Sequence, residues 1–529
     1  MESSQTIKLI FLLIVMSSGR AGPALSDSAL NTPERCASLQ RMDFASLEDA
    51  PTQVISAQIG QVEGAGATQY CEVQAYIAPT VGVAVRLPLK RWNKKLLQLG
   101  CGGHCGSTAH IHRCNSALAR GYACVVTDGG HRSSGNQALW AYNNWQGQID
   151  YFIRASHVTA LAGKAIVARY YGERPRHSYF MGCSAGGREA MMQAQRFPWD
   201  HDGIIAGCPS LSQTTIRMNL LWSQRALSDV DRRPLFSRTE IEALHQAVIS
   251  RCDMIDGIKD GVLEDPRTCD FDPALLQCHS GKHNGCWSAA QVDAVKKVYR
   301  GATSSDGNNI IQPGALMGSE KTWSDWFLGT EETGMSAFIQ EAFRYYAFVP
   351  NPGVSWRLED FDFDHDYQRL TLADSLYAAS NPDLRRFKAA GGKLLAYAGW
   401  NDAAGMPLPV IDYYEASEKI MGGRAIMQEF FRLFMIPGMD HCGGGDGAST
   451  IDYLHYLDRW VEQGSPPDEL QSYRLLERDA PPANNDVEFP PDARTIEFSR
   501  PVYPYPVTAR YRGYGDPKDA SSFTASHPE

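Results

Sequence analysis

The pentapeptide Gly182-Cys183-Ser184-Ala185-Gly186 could place a serine nucleophile at a sharp turn. It follows a short apolar run at residues 178–181 and precedes a helix-compatible segment at residues 188–196. This strand-turn-helix context is the one that a G-x-S-x-G elbow requires, because small residues on both sides let the turn close and lift the Ser184 hydroxyl above the sheet edge. A serine attacks an ester at neutral pH only with a histidine base and an acid that holds the histidine.

His441 is the best candidate for the base among fourteen histidines, because it lies in a glycine-rich loop just after the apolar run 430–436. Asp402 occupies the matching place after the run 393–398 and is the predicted acid. Asp440 is a rival, but a residue adjacent to His441 would normally point elsewhere. The chain order serine, acid, histidine is the one expected of a hydrolase built on a parallel sheet.

The elements that must position these residues are those of an α/β fold. From about residue 92, short β-type runs alternate with helical patterns, as in a parallel sheet covered by helices. The runs are residues 96–99, 122–127, 178–181, 203–206, 393–398 and 430–436. Between about 211 and 390 the alternation is lost. We therefore predict a catalytic domain of residues 22–210 and 391–529 that is interrupted by an inserted lid domain of residues 211–390.

Composition excludes several classes of protein. The chain has 529 residues, of which 43% are hydrophobic and 21% charged, which rules out a disordered, collagen-like or coiled-coil protein. The formal charge of −10 shows no basic surplus, so nucleic acid is not an expected partner.

The N-terminus predicts export. Lys8 and the apolar run 9–16 precede a plausible cleavage pattern, Gly19-Arg20-Ala21, so residues 1–21 are predicted to be a signal peptide. A run this short cannot cross a hydrocarbon core of about 30 Å. An uncleaved membrane anchor is the alternative. Thirteen cysteines also fit a secreted or periplasmic protein with disulfides, and their odd number leaves at least one thiol unpaired within the chain.

Two cysteines flank the catalytic candidates: Cys183 precedes Ser184, and Cys442 follows His441. If the serine and histidine meet, their neighbours are near enough for a disulfide that clamps the two loops together. This Cys-Ser, Asp, His-Cys arrangement resembles the tannase and feruloyl esterase family of α/β-hydrolases, which includes hydrolases of terephthalate monoesters. The resemblance covers nearly the whole mature chain.

The resemblance implies roles for individual residues. Ser184 matches the nucleophile, Asp402 the acid and His441 the base. It implies four disulfides, namely Cys183–Cys442, Cys36–Cys71, Cys252–Cys269 and Cys278–Cys286. A further family bridge near the C-terminus would fall at Tyr503 and Ala525, so that bridge is absent here. The partners of the remaining cysteines stay open, and these are Cys101, Cys105, Cys114, Cys124 and Cys208.

The segment 101–105 allows more than one interpretation. In the hydrolase fold, the loop after an early strand supplies one N–H of the oxyanion hole and the residue after the nucleophile supplies the other. We therefore predict Gly103 and Ala185 as donors. The cysteines of this segment, together with His110, His112 and Cys114, also imitate a zinc site, although their spacing fits no standard finger. A Cys105–Cys114 disulfide is a further alternative.

An acidic segment, residues 252–262, could bind a metal. Three carboxylates stand within eight residues and are separated by glycines that let the backbone curl inward, which suits Ca²⁺. A solvated acidic turn is the alternative. The resemblance implies a structural calcium in the lid, held by the carboxylates of Asp253, Asp256 and Asp260 and the carbonyls of Ile258 and Val262. No organic cofactor is expected.

Aromatic residues of the predicted lid could line a substrate pocket. Trp323, Trp326 and Phe327 are candidates for a flat slot that binds an aromatic acid, although each could equally belong to a core. Arg344 could pair with a carboxylate on the substrate.

We therefore predict a secreted serine esterase that cleaves esters of hydroxycinnamic, gallic or related aromatic acids through an acyl-enzyme. A terephthalate monoester hydrolase, or a lipase or peptidase of the same fold, is the nearest alternative. A ligand-binding protein on an inactive scaffold would lack a triad member, and a metallohydrolase would depend on the Cys/His segment. The sequence leaves the oligomeric state open.

Overall fold

The computed structural model describes residues 32–62, 68–278, 285–307, 310–328, 334–405, 407–476, 489 and 491–527. The predicted signal peptide, residues 1–21, lies outside these ranges. Within them, no helix has both the length and the apolar character needed to span a bilayer.

Fifteen strands occur in the described ranges. In chain order they are β1 (Thr52–Gln61), β2 (Gln69–Ile77), β3 (Val81–Pro88), β4 (Lys95–Leu99), β5 (Ala123–Thr127), β6 (His177–Cys183), β7 (Gly203–Gly207), β8 (Gly301–Thr303), β9 (Ile310–Pro313), β10 (Lys393–Gly399), β11 (Phe431–Ile436), β12 (Leu470–Leu475), β13 (Ile496–Val502), β14 (Thr508–Tyr511) and β15 (Phe523–Ser526).

Nine of these strands form one sheet in the order β1-β2-β3-β5-β4-β6-β7-β10-β11. The first strands pair antiparallel through β5, and all pairs from β5 to β11 are parallel. The strands β5, β7 and β11 are buried along their whole length, as expected when helices cover both faces of a parallel sheet. The predicted α/β fold is confirmed.

The described ranges also contain fifteen α-helices. They are α1 (Thr32–Ser38), α2 (Asn115–Ala119), α3 (Trp145–Ile149), α4 (Ala155–Tyr171), α5 (Ala185–Arg196), α6 (Gln213–Ala226), α7 (Arg238–Cys252), α8 (Ala289–Arg300), α9 (Trp323–Trp326), α10 (Gly334–Tyr345), α11 (Asp366–Tyr377), α12 (Arg385–Ala389), α13 (Pro407–Met421), α14 (Arg424–Gln428) and α15 (Tyr453–Gln463).

Alternate residues of the central strands pack into different cores. Leu395 lies in the cluster that contains Leu457 and Trp460 of α15. Leu394 lies in a second cluster with Met191 of α5 and Tyr414 of α13. This alternation follows from the period of two along a strand, so helices on both faces hold the sheet rigid. The carboxyl ends of its parallel strands therefore stay fixed relative to one another.

Two predicted helices differ in detail from the structure. Apolar residues at helical spacing predict one helix over residues 149–171, but the structure has there the last residue of α3, a π-helical turn at Asp150–Arg154 and α4. It ends at Gly172, which adopts the left-handed conformation that closes many helices. The helix predicted over residues 188–196 begins earlier, at Ala185, directly after Ser184.

Between β7 and β10 the chain leaves the sheet. This segment includes α6 to α12 and the short hairpin of β8 and β9, and most of its buried residues form one cluster. The same cluster contains Tyr151, Phe152 and Ala403 from outside the segment, so the segment packs onto the sheet domain. The assignment of residues 211–390 as a separate lid domain stays a prediction.

Six disulfides link the described cysteines. Four have the pairing that the resemblance implies, Cys36–Cys71, Cys183–Cys442, Cys252–Cys269 and Cys278–Cys286. The other two are Cys101–Cys105 and Cys114–Cys124, so the suggested Cys105–Cys114 bond is wrong. Cys114 ends a 3₁₀ turn that packs on β5, which brings it to Cys124 rather than to Cys105. Cys208 is free and buried.

Candidate active site

Ser184 lies at the turn between β6 and α5. Its φ of 62° and ψ of −119° place a non-glycine residue in the left-handed half of conformational space, as expected of a strained nucleophile elbow. The turn closes tightly: a Cβ added to Gly182 would lie 2.5 Å from the carbonyl oxygen of Gly186. The Ser184 N–H donates to the carbonyl of Gly207 at 3.0 Å, which ties the elbow to β7.

Asp402 and His441 meet at the carboxyl ends of β10 and β11. The Nδ1 of His441 lies 2.8 Å from Oδ2 of Asp402. The other carboxylate oxygen, Oδ1, accepts the N–H groups of Ala404 at 2.9 Å and Gly405 at 2.6 Å. The side chain of Asp402 is 2% exposed and that of His441 16%. Both oxygens of the carboxylate therefore have hydrogen-bond partners, which fix its position so that it can orient the imidazole.

The pKa values of this pair shift in opposite directions. Burial alone would raise the pKa of Asp402, but the charge and hydrogen bond of His441 hold the pKa below its usual value. Burial would lower the pKa of His441, but the charge of Asp402 raises it above the ordinary value. The imidazolium form is thus stabilised by the carboxylate, as a general base requires when it accepts a proton.

The Cys183–Cys442 disulfide brings the elbow and the histidine loop together. It joins residues 259 positions apart in the chain, with their Cα atoms 5.9 Å apart. Each cysteine is the immediate neighbour of a candidate, Ser184 or His441, and both candidates line one cavity. The predicted serine, acid and histidine therefore converge on a single site.

This cavity has a volume of about 520 Å³, within the usual range of small-molecule sites. Both predicted oxyanion donors, Gly103 and Ala185, line it. Ala185 is the first residue of α5, where backbone N–H groups lack partners within the helix. Gly103 has a φ of +57°, and its carbonyl accepts the hydroxyl of Tyr151 at 2.7 Å, which fixes the loop.

Of the predicted pocket residues, Trp326 lines the cavity, and its ring meets the His441 ring edge-on at 5.4 Å. Trp323 and Phe327 lie instead in the buried cluster of the inserted segment, because α9 turns them away from the cavity. The Nε of Arg344 donates to the carbonyl of Trp356 at 2.8 Å. Sequence reasoning missed Phe338 and Arg217, which also line the cavity.

Asp440, the rival acid, lies beside the site without contacting the histidine ring through its carboxylate: the ring nitrogen bonds to Asp402. Burial, together with the charges of Asp446 and Asp402, raises the pKa of Asp440 to about 7.

The segment that the sequence offered as a candidate zinc site contains a disulfide instead. Cys101 and Cys105 are bonded to each other, so the thiolates that zinc would need are consumed.

Cys208 lies next to the candidate catalytic residues. The odd number of cysteines predicted an unpaired thiol but did not show which cysteine it is. Its Sγ accepts the N–H of Cys442 at 3.3 Å and lies within 4.8 Å of a carboxylate oxygen of Asp402. Its sulfur lies within 4.8 Å of the sulfurs of Cys183 and Cys442. Burial, with the charge of Asp402, raises the pKa of the thiol well above its ordinary value, so it remains a protonated donor.

The acidic segment 252–262 forms a compact loop. Asp253 and Asp256 lie on a 3₁₀ turn that ends at Gly257, and Oδ1 of Asp253 accepts the N–H groups of Asp260 and Gly261 at 3.2 and 2.9 Å. Burial and the neighbouring carboxylates raise the pKa of Asp256 to about 7. The side-chain donors are hard oxygens, the set that Ca²⁺ prefers.

One guanidinium also reaches this loop. The Nη2 of Arg500, on β13, lies 2.6 Å from Oδ2 of Asp260. The carboxylates of Asp253 and Asp256 have no such ion pair among the described residues, and their pKa values are raised rather than lowered. Asp253 is buried and Asp256 half-buried, and a set of carboxylates without ion-pair partners of their own fits a bound cation.

The chain is similar to known proteins over most of its length. Residues 65–526 match the model of a family described as "Tannase and feruloyl esterase". A mono(2-hydroxyethyl) terephthalate hydrolase of Piscinibacter sakaiensis is 33% identical, over 87% of this chain and 85% of that protein. A probable feruloyl esterase of Arthroderma benhamiae is 32% identical, over 84% of this chain and 82% of that protein.

A solved structure supports the same comparison. The crystal structure of feruloyl esterase B from Aspergillus oryzae superposes with a TM-score of 0.80 at 25% identity, covering 94% of this chain and all of that one.

The Asp402–His441 pair generates a prediction about titration. Asp402→Asn removes the charge that favours the imidazolium, so the pKa of His441 should fall, and the neutral ring should persist to lower pH. An NMR titration of the imidazole resonances measures this. Asp440→Asn is the matched control and should lower that pKa by less, since Asp440 contributes least to the shift. An equal fall in both variants would contradict the assignment of Asp402 as the partner.

The position of Cys208 generates a second prediction. Cys208→Ala should reduce the free energy of unfolding by about 1–3 kcal/mol, because the buried N–H of Cys442 loses its acceptor. Cys208→Ser keeps both an acceptor and a donor, so it should lose less. Urea unfolding of both variants measures the difference, and equal losses would show that the thiol only fills space.

Proposed function

The chain belongs to the tannase and feruloyl esterase family, and we propose on this basis that it is a serine esterase of aromatic acids. The family and the relatives indicate a carboxylic ester hydrolase. The proposed substrates are esters of hydroxycinnamic, gallic or related aromatic acids, which the enzyme cleaves through an acyl-enzyme.

One observation carries the proposal: a strained serine elbow and a buried Asp-His pair line the same cavity and are joined by the Cys183–Cys442 disulfide. A serine in such a turn has its hydroxyl exposed, and a histidine oriented by a carboxylate can remove its proton. An inactive scaffold would not need all three groups in this arrangement.

In the proposed first step, His441 takes the proton of the Ser184 hydroxyl while the serine oxygen attacks the ester carbonyl. The carbonyl electron pair moves onto oxygen, and the N–H groups of Gly103 and Ala185 hold the resulting oxyanion. Asp402 keeps the imidazole in position and stabilises its positive charge. His441 then gives its proton to the leaving alcohol as the bond from carbon to that oxygen breaks.

In the second step, water takes the place of the alcohol. His441 removes a proton from the water as its oxygen attacks the acyl-enzyme, and the same two N–H groups hold the second oxyanion. The bond to Ser184 breaks, and His441 returns the proton to the serine oxygen. The products are the free acid and the regenerated enzyme.

The cavity supports an aromatic acyl group. Its walls include Met335 and Phe338 of α10 together with Trp326, so a flat ring can pack against apolar side chains beside the catalytic histidine. A terephthalate monoester is the second candidate substrate, because a hydrolase of such an ester is 33% identical to this chain.

We also propose that the protein is secreted or periplasmic. Six disulfides fit an oxidising compartment, and residues 1–21 are the proposed signal peptide.

Calcium binding at the acidic loop is a further part of the proposal. The carboxylates of Asp253, Asp256 and Asp260 and the carbonyls of Ile258 and Val262 would hold the ion. When bound, it would neutralise the mutual repulsion of these carboxylates. The loop directly follows α7 and lies within the stretch that the Cys252–Cys269 disulfide closes. The ion would therefore stabilise the inserted segment rather than take part in catalysis.

The serine mechanism predicts the response to two inhibitors and one substitution. Ser184→Ala should lower kcat by a factor of about 10⁴ or more without unfolding the protein, because the nucleophile is lost. A serine-directed phosphonate should inactivate the wild-type enzyme, whereas a zinc chelator should not. The assays use methyl ferulate, methyl gallate, a terephthalate monoester, a triglyceride and a peptide.

Ser210→Ala serves as a control, since Ser210 is a second serine in the cavity wall with no proposed role in bond breaking. It should retain most of the activity. Near-native turnover by Ser184→Ala, or the opposite response to the two inhibitors, would overturn the proposed nucleophile.

The calcium proposal predicts a change in thermal stability. Adding Ca²⁺ to metal-depleted protein should raise the melting temperature, because a ligand that binds only the folded state stabilises it. Asp256→Asn should weaken this response, whereas Asp293→Asn, an exposed carboxylate on α8, should leave it unchanged. Differential scanning calorimetry with and without chelator measures the shift, and no response in the wild type would exclude the site.

A further inference from the structure

Arg217 stands out among the buried arginines. Five arginines are buried in the described part of the chain, Arg86, Arg188, Arg217, Arg432 and Arg474. Three of them pair with a carboxylate: Glu72, Asp468 and Glu497 are the partners of Arg86, Arg432 and Arg474. Arg188 donates to two main-chain carbonyls, those of Phe152 and Tyr151.

Arg217 has a single main-chain acceptor and, unlike Arg188, lines the cavity that contains Ser184. It is 3% exposed, and its Nη1 donates to the carbonyl of Gln213, one turn earlier on α6. Its Nε has no hydrogen-bond partner, and among the described residues no carboxylate forms an ion pair with it. A buried charge without a counter-ion is costly, so a protein keeps one where something else supplies the opposite charge.

The location of Arg217 indicates what that partner is. Four residues of α6, namely Gln213, Ile216, Arg217 and Leu220, line the cavity that contains Ser184. Their spacing places them on one helical face. Gln213 is also buried, and within the described part of the chain its Oε1 has no hydrogen-bond partner. The wall thus combines two unmatched polar groups with apolar neighbours, which is the composition of a ligand site.

The aromatic surroundings fix the guanidinium. Its central carbon lies 4.5 Å from the ring centre of Phe338, which stacks in turn on His104 at 4.3 Å. His104 directly follows Gly103, the proposed oxyanion donor. Arg217 therefore lies one aromatic ring away from the loop that carries the proposed oxyanion donor, within reach of a substrate bound in this cavity.

We propose that Arg217 binds a carboxylate of the substrate, separate from the ester that is cleaved. This inference rests on the proposed esterase function and names its substrate class: aromatic esters that carry a second, ionised carboxyl group. A full negative charge is the match for an unpaired guanidinium, and such charge-assisted hydrogen bonds are stronger than those to a neutral phenol. Asp325, the carboxylate of the cavity wall, is already paired with Arg238.

The test compares substrates that differ only in charge. Monomethyl terephthalate and methyl 4-carbamoylbenzoate have nearly the same shape, but one is ionised and the other neutral. A second pair, benzoylglycolic acid and its amide, places the carboxylate on the alcohol side. Wild-type enzyme should prefer the ionised member of at least one pair by about 10- to 100-fold in kcat/KM.

Arg217→Gln should abolish that preference, because it should lower kcat/KM for the ionised member by a much larger factor than for the neutral member. Arg217→Lys should restore part of it. Arg225→Gln is the matched control, since Arg225 lies on the same helix but donates to the carbonyls of Phe361 and Leu358 outside the cavity. This variant should keep the wild-type preference.

Binding provides a readout that does not depend on catalysis. Calorimetry with terephthalate and with its neutral diamide should show tighter binding of the dianion to wild-type protein and no such difference in Arg217→Gln. If the wild-type protein shows the same kcat/KM for the ionised and neutral esters and the same affinity for the dianion and the diamide, the proposed carboxylate site is wrong. If no ester at all is hydrolysed, the proposed function fails, while the calorimetry still decides whether Arg217 binds a carboxylate.

Discussion

The close approach of backbone segments around Ser184 is the constraint on which the site depends. A Cβ on Gly100, at the end of β4, would lie 2.8 Å from Cα of Gly186 in the elbow. The oxyanion loop and the nucleophile can be this near only because neither Gly100, just after β4, nor Gly186, in α5, carries a side chain. Once the two segments are in contact, Gly103 and Ala185 face one cavity, and the ends of the neighbouring parallel strands deliver Asp402 and His441 to the same edge. The geometry of the proposed catalytic groups is thus a consequence of backbone packing.

Electrostatics then sets the protonation states. The Asp402 carboxylate is buried, accepts two backbone N–H groups and is opposed by the His441 ring, so it stays ionised and favours the imidazolium. Cys208 adds a thiol donor that stays protonated, since burial opposes its ionisation. The disulfide between Cys183 and Cys442 joins the two loops that carry the proposed nucleophile and the proposed base. A bond that links distant parts of the chain suits such a site, because a misplacement of about 1 Å can reduce the rate of catalysis strongly.

The inserted segment supplies the other half of the cavity and differs in character from the sheet edge. The sheet edge contributes main-chain N–H groups and the proposed triad, which can act on any ester. The inserted segment contributes Trp326, Phe338 and Arg217 to the wall of the same cavity. In the proposed mechanism, bond breaking and substrate choice are therefore assigned to different parts of the chain. The acidic loop lies elsewhere in the inserted segment and forms an ion pair with Arg500 of β13, so a cation bound there would act on stability rather than on catalysis.

The sequence by itself predicted where the catalytic candidates lie relative to the strands. The serine elbow follows one strand, and the acid and the histidine each follow a later strand. These signals are local, because turn chemistry and alternating apolar runs depend on neighbouring residues. Only the tertiary structure decided which aromatic residues of the inserted segment face the cavity. Aromatic residues occur on both sides of a short helix such as α9, and the sequence does not show which side faces the cavity and which faces the core. It also decided that Cys208 lies beside Asp402 and that Arg217 has no ion pair with a carboxylate among the described residues. Both depend on distances between residues that are remote along the chain, which packing sets and local pattern does not. The Cys101–Cys105 bond is local, but it became clear only because Cys114 packs on β5 and pairs with Cys124.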